Sequence, residues 1–333
     1  MTWRARWLKQ KARLSRAGRW ILRVLRAQAP AGVGHRGGRG PARFTEGRFG
    51  STVQRSYMLY EPASRAPGPA PLLVLLHGCQ QGAQDFAAGT RMNEAAEDAA
   101  VVVLYPEQSV AANVLRCWNW YASADRPAGE GDAALIAAMT RQVMHDHDID
   151  AARVYVAGMS AGGAMAVVLA RDFPQLYAAL GVHSGVPAGL AHDVLSAMRL
   201  MSSGPRQGGA DPAPWAVGGD GHAVASIVFH GDEDATVHPS NGEAIHAAGR
   251  RVQAREQPAR SLHTTTQPSA GRRGFTRSVD FGPGGVTSRE LWIVHGAGHA
   301  WAGGSDAQKH TDADGPNASR EMLRFFLQHE LAS

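Results

Sequence analysis

The chain has 333 residues, 44 % of them apolar, enough for one large core or two small ones; no 18 apolar residues run together, so no membrane-spanning helix is expected. Its formal charge of +5 is unevenly placed: of 34 Lys/Arg, twelve lie in residues 1–45, where there is no acid, and the remaining 22 face 29 acidic residues. A mildly acidic body with a basic tail does not fit a nucleic-acid-binding domain, which carries its basic patch on the folded part.

The N-terminal stretch sets Trp3, Trp7, Leu14, Trp20, Ile21, Val24 and Leu25 among arginines and lysines, with helical spacing up to Pro30. Such a segment has two readings: an amphipathic helix that lies on an anionic membrane or a storage granule, or a solvated leader. Its longest apolar run, Trp20-Ile21-Leu22, is too short for a secretory signal. Residues 31–40, rich in Gly and Arg, read as a flexible linker. The expected organisation is a leader and linker over 1–43 and one folded domain over 44–333.

Within that domain, strands are expected at Val53–Tyr60, Leu72–Leu76, Val101–Tyr105, Val154–Ala157, Ala178–Val182, Ser226–His230, Phe275–Phe281 and Glu290–His295. Helices are expected over Asp85–Ala100, Asp132–His147, from Gly163, over Ser240–Arg251 and over Ala318–Leu331. Strands alternating with helices imply a mainly parallel sheet with helices on both faces. The Gly/Pro/Ala-rich stretch 202–222 and the polar stretch 257–274 break the alternation and read as surface loops or an insertion.

The most informative ten residues are Val154 to Gly163. An apolar strand runs into Gly158-Met159-Ser160-Ala161-Gly162, and a small-residue helix follows. That strand–turn–helix context is what a G-x-S-x-G nucleophile elbow requires. Glycine is needed at 158 and 162 because a Cβ there would strike the neighbouring chain, and Ser160 stands at the tip above a helix N-terminus. A structural serine in a tight turn is the plainer alternative.

A serine hydroxyl needs a base, and the base an orienting carboxylate. Both follow in the order that this architecture uses, Ser, then Asp/Glu, then His. His230-Gly-Asp-Glu-Asp234 places acids just past a strand end, so Asp232, Glu233 and Asp234 are all candidates, with spacing favouring Asp234. Leu291-Trp-Ile-Val-His-Gly-Ala-Gly-His299 places two histidines; His295 reads as the packed end of a strand and His299 as the one able to reach over the sheet. For the oxyanion of a tetrahedral intermediate, the candidate donors are the N–H of Ala161 and, from the loop His77-Gly-Cys79-Gln80, the N–H of Cys79 with Gln80 as second choice. Cys79 and Cys117 are the only cysteines. A bridge between them would clamp the oxyanion loop to Arg116-Cys-Trp-Asn-Trp120; two separate buried thiols are the alternative. Two cysteines so far apart make no metal site, and His145 and His147 read as a helix end.

Six separated segments, His77-Gly-Cys-Gln-Gln, Arg116-Cys-Trp-Asn-Trp, Ala157-Gly-Met-Ser-Ala-Gly-Gly, Val182-His-Ser-Gly, His230-Gly-Asp-Glu-Asp-Ala-Thr-Val and Gly296-Ala-Gly-His-Ala-Trp301, resemble the poly(3-hydroxybutyrate) depolymerase-type esterases. The resemblance covers residues 50–330. It implies an α/β-hydrolase fold and a serine carboxylic-ester hydrolase without cofactor, acting on short-chain hydroxyalkanoate oligomers or polymer, or on feruloyl or acetyl esters of plant polysaccharides. Carried over residue by residue, it makes Ser160 the nucleophile, Asp234 the triad acid and His299 the base, and it supports Cys79 N–H in the oxyanion hole. Members are commonly extracellular; the N-terminus here leaves a cytoplasmic, granule-associated form as the alternative. Trp118, Trp120 and Trp301 are expected either to line an apolar substrate face or to pack in the core. Two further readings stand beside these: a surface-binding protein anchored by residues 1–30, and a serine peptidase of the same fold.

Overall fold

All seven residues of strand β3, Ala70–Leu76, are buried, as a continuous apolar run covered on both faces demands. It lies inside a ten-stranded sheet of order β1-β2-β4-β3-β5-β6-β7-β10-β9-β8, in a computed structural model that describes residues 41–50, 54–123, 131–206, 224–253, 260–268 and 271–331. The strands are β1 (Arg43–Phe49), β2 (Arg55–Glu61), β3, β4 (Val102–Pro106), β5 (Ile149–Met159), β6 (Ala179–His183), β7 (Ala225–Gly231), β8 (Arg260–Thr266), β9 (Phe275–Phe281) and β10 (Thr287–Val294). The six from β4 to β10 in spatial order run parallel. Antiparallel β2–β1 closes one edge and antiparallel β9–β8 the other. A short pair, β11 (Trp301–Ala302) and β12 (Thr311–Asp312), forms a separate sheet.

The helices are α1 (Ala83–Thr90), α2 (Met92–Ala99), α3 (Gly131–Asp146), α4 (Ala161–Asp172), α5 (Val194–Ser203), α6 (Ser240–Gln253) and α7 (Ala318–Phe326). Two apolar layers cover the sheet. One holds Leu72, Val74, Val156, Ile136, Met165 and Leu169; the other holds Leu73, Tyr155, Phe229, Met322 and Phe326. Helix α4 is buried from Ala161 through Ala170, which explains its lack of a polar face. This is the α/β-hydrolase fold with helices on both faces that the alternation and the resemblance led one to expect.

Several local expectations need correcting. The helix expected over 85–100 is two, because Arg91 takes a left-handed φ of 53° and the Thr90 hydroxyl donates back to Phe86 O at 2.8 Å. Part of the polar stretch 257–274 is strand β8, an edge strand exposed along Leu262–Thr266; a ribbon wet on both faces carries no apolar alternation to read. Strand β1 was unmarked for the same reason. Helix α5 was unmarked too, and it runs into the stretch read as the loop 202–222; its start is fixed by a capping box between Asp193 and Ser196. The leader up to residue 40, and residues 207–222 of that loop, lie outside the described residues.

Register decides where the chemistry can sit. Leu76 is level with Gly158, Met159 with His183, His183 with Phe229, and Gly231 with Val294. The loops leaving β3, β5, β6, β7 and β10 therefore emerge at one edge of the sheet. From β3 the chain goes to β4 on one side and then returns across β3 to β5. Such a switch point opens a crevice at the carboxyl ends of the strands, where ligands bind in open α/β sheets.

Candidate active site

The turn after β5 has the strain its sequence implies. Ser160 has φ 56° and ψ −122°, its N–H donates to His183 O at 3.0 Å, and its carbonyl accepts from Ala164 N–H at 2.9 Å as α4 begins. A Cβ on Gly162 would fall inside the Leu76 carbonyl, and one on Gly158 inside the backbone of Gly162. The Ser160 side chain is thus held at the crevice by backbone on both sides, an arrangement that costs about 1–3 kcal/mol of local strain.

The loop after β3 lies directly against it. A Cβ on Gly78 would come 3.5 Å from Ser160 Cβ. Gln81 Oε1 accepts Gly78 N–H at 2.8 Å and so curls the loop back on itself. Gln80 N–H is committed to Leu115 O at 2.7 Å, which removes the second-choice oxyanion donor. The N–H of Cys79 holds no hydrogen bond among the described residues. Ala161 opens α4, where the first N–H groups have no partner within the helix. Ala161 follows Ser160 in the chain, and Cys79 follows the Gly78 that lies against it.

A Cys79–Cys117 disulfide fastens this loop to the segment before Trp118. That segment is itself braced: Asn113 Oδ1 accepts Leu115 N–H and Cys117 N–H, and Asp132 Oδ2 accepts Asn119 N–H and Gln108 Nε2–H. With the half-cystines 38 positions apart in sequence, loop-closure entropy alone corresponds to about 4 kcal/mol. Replacing both cysteines by serine should lower the unfolding free energy by about that amount in urea titration, and kcat with it, since the Cys79 N–H is the candidate oxyanion donor. An unchanged kcat in the folded double variant would detach the bridge from the site.

On the other side, His299 Nδ1 lies 2.7 Å from Asp234 Oδ2. A carboxylate only accepts, so Nδ1 carries a proton, and in the neutral ring the lone pair is then on Nε2, the form a general base needs. Asp234 Oδ1 accepts Thr236 N–H and Val237 N–H at 2.9 and 2.8 Å. His230, fully buried, donates Nε2–H to Val237 O at 2.8 Å and stands 3.5 Å from Asp234 Oδ2. Burial pushes the Asp234 carboxyl up, but the hydrogen bonds from His230, His299 and the Val237 amide outweigh it and hold the group well below the usual carboxylate range. The neighbouring acids divide the remaining work. Asp232 Oδ1 accepts Gly296 N–H at 2.7 Å and pins the histidine loop, while the Glu233 side chain is exposed. His295 is bound through Nε2 to Thr276 Oγ1 at 3.0 Å.

The tryptophans pack; they do not offer an exposed apolar wall. Trp118, Trp120 and Trp301 are 1 %, 6 % and 0 % exposed. The Trp118 indole N–H donates to His77 O, and that of Trp301 to Ser319 Oγ. Trp120 meets Tyr121 edge to face. An indole buried with its N–H satisfied is spent on packing. A cavity of about 350 Å³ is likewise away from this chemistry: Glu61, Arg65, His147 and Asp148 line it, beside the start of β5. Among the described residues no cluster of His, Cys, Asp and Glu suits a metal ion.

Two buried histidines, His77 and His183, and the half-buried His329 were not marked as functional in the sequence. Burial pushes His77 down to about 4, His183 to about 3 and His329 to about 4, so each folds as the neutral ring while the unfolded chain protonates near 6.5. A folded pKa below the unfolded one means stability held above pH 6.5 and lost as pH falls toward 4. The melting temperature should drop by about 10 °C between pH 7.5 and 4.5; a flat profile in scanning fluorimetry would contradict this.

A family model described as Esterase PHB depolymerase matches residues 55–255. Poly(3-hydroxyalkanoate) depolymerase C of Paucimonas lemoignei is 31 % identical over 258 residues, 75 % of this chain and 60 % of that protein. Acetylxylan esterase A of Emericella nidulans is 31 % identical over 195 residues, 56 % of this chain and 63 % of that one. The chain thus spans about three fifths of the length of these relatives. Among solved structures, an acetyl xylan esterase from Aspergillus awamori has a similar fold, with a TM-score of 0.63, 19 % identity, and coverage of 87 % of this chain and all of that one.

Proposed function

Because the chain belongs to the PHB depolymerase esterase family, we propose that it is a serine carboxylic-ester hydrolase working through an acyl-enzyme. Ser160 attacks the ester carbonyl; His299 Nε2 takes its proton and passes it to the departing alcohol. Asp234 keeps the imidazole in the Nδ1–H tautomer and stabilises its cation. The N–H groups of Cys79 and Ala161 receive the oxyanion. Water then attacks the acyl carbonyl, with His299 as base again, and releases the acid. The observation that carries this reading is the 2.7 Å contact of His299 Nδ1 with Asp234 Oδ2, on a loop edge shared with the strained serine.

The substrate class is a short-chain hydroxyalkanoate ester, as oligomer or polymer. Acetyl and feruloyl esters of plant polysaccharides form the second reading, favoured by the likeness to acetylxylan esterase A. The disulfide supports work in an oxidising compartment outside the cytoplasm. A fluorophosphonate should add once, to Ser160 by peptide mass spectrometry. Hydroxybutyrate trimer, acetylated xylan and methyl ferulate should then be hydrolysed at rates that differ at least tenfold, the trimer fastest. Labelling elsewhere would remove the mechanism; a preference for xylan acetate would replace the substrate.

A further inference from the structure

The segment Val182-His-Ser-Gly185 belongs to the resemblance, yet the proposed mechanism gives it no task. His183 ends β6 midway between the nucleophile strand and the acid strand, level with Met159 on one side and Phe229 on the other. Its carbonyl accepts the N–H of Ser160 at 3.0 Å, and Ser184 N–H donates to Phe229 O at 2.9 Å. The side chain, 1 % exposed, reaches the third element. Its Nε2 lies 3.0 Å from the amide of Ala302, three residues beyond His299.

The protonation of this ring follows from its partners. An amide N–H can only donate, so Nε2 must hold the lone pair and the proton must sit on Nδ1, which then donates to Ser184 Oγ at 3.2 Å. The ring is stacked between Phe229, at 5.9 Å, and Trp301, at 5.1 Å. Burial, with the positive charge His230 and His299 would carry, pushes its pKa down to about 3, so the acceptor persists through the working range. One residue therefore ties the backbone under the nucleophile to the strand that follows the base. Other anchors of that loop, among them Asp232 on Gly296 N–H, Glu233 N–H on Ala297 O and Trp301 N–H on His310 O, do not touch the elbow.

We infer that His183 is a positioning residue that holds the His299 loop in register with Ser160 through its neutral Nε2 on the Ala302 amide. This rests on the reading of Ser160 and His299 given above. A base displaced by even about 1 Å can cost 10²-fold in rate, and the effect should fall on kcat because substrate contacts are not involved.

The test uses the full chain and p-nitrophenyl acetate. His183→Phe keeps a ring between Phe229 and Trp301 but removes the acceptor; kcat should fall about 10²-fold with KM within about twofold. His183→Gln sets an amide oxygen near the place of Nε2 and should recover at least a tenfold part of that loss. In a His299→Ala background, His183→Phe should change the residual rate less than about twofold, because residues acting as a unit are not additive. If His183→Phe does not fold, Ser184→Ala removes the partner of Nδ1–H and should cost several-fold in kcat, again only when His299 is present. A loss carried undiminished into the His299→Ala background, a loss confined to KM, or no loss at all would overturn the inference. Full activity of Ser160→Ala or His299→Ala would instead overturn the functional reading on which it rests, so the two failures are distinct.

Discussion

Ser160→Ala should lower kcat on a short-chain p-nitrophenyl ester by about 10⁵-fold or more, with the melting temperature within a few degrees of the parent. On the proposed mechanism the hydroxyl is the attacking atom; it holds no hydrogen bond among the described residues, so its removal leaves no buried partner unpaired. His299→Ala should cost about as much, and the double variant scarcely more, because nucleophile and base act as one unit. Residual turnover above the uncatalysed rate is still expected, from the Cys79 and Ala161 amides. Ser160→Ala retaining a tenth of parental kcat would mean that another group attacks, and labelling by fluorophosphonate would identify it.

Asp234→Asn comes next, with an expected fall of about 10⁴-fold in kcat. The amide is nearly isosteric, so packing against His230 and the Val237 amide survives. What changes is the proton on His299. Without a carboxylate at 2.7 Å from Nδ1, the imidazole can take the tautomer with its proton on Nε2 and present no lone pair to Ser160. The comparison that makes this decisive is Asp232→Asn. That side chain holds Gly296 N–H rather than a histidine ring, and its loss should cost no more than about tenfold. Glu233→Gln, at an exposed side chain, should be silent. Equal losses at 232 and 234 would mean that the loop as a whole, and not one carboxylate, supports the base.

The sequence was most legible where the backbone has least freedom. Gly158 and Gly162 announce the elbow because no other residue fits beside the Leu76 carbonyl, and the apolar runs at 72–76 and 154–157 announce strands covered on both sides. It was least legible at the edges. β1 and β8 have no buried face of their own to enforce a pattern, and the break at Arg91 is a single left-handed residue that no periodicity marks. The aromatic cluster at 117–120 was visible, but whether its rings faced a ligand or the core was not, because burial depends on what arrives from elsewhere in the chain. Here the arrival is His77, whose carbonyl takes the Trp118 N–H; at Trp301 it is Ser319, whose hydroxyl takes the indole N–H.

By itself the sequence determined the class of fold, the nucleophile turn and the order of its partners, since these rest on local sterics and on the spacing of polar residues at strand ends. Only the tertiary structure decided which of Asp232, Glu233 and Asp234 meets His299, that Gln80 N–H is already taken, and that His183 spans the elbow and the base loop. The reason is physical: a choice between neighbouring side chains turns on differences of a few ångströms, and those are set by sheet register and by contacts between residues far apart in the chain, 65 positions for Asp234 and His299 and 119 for His183 and Ala302.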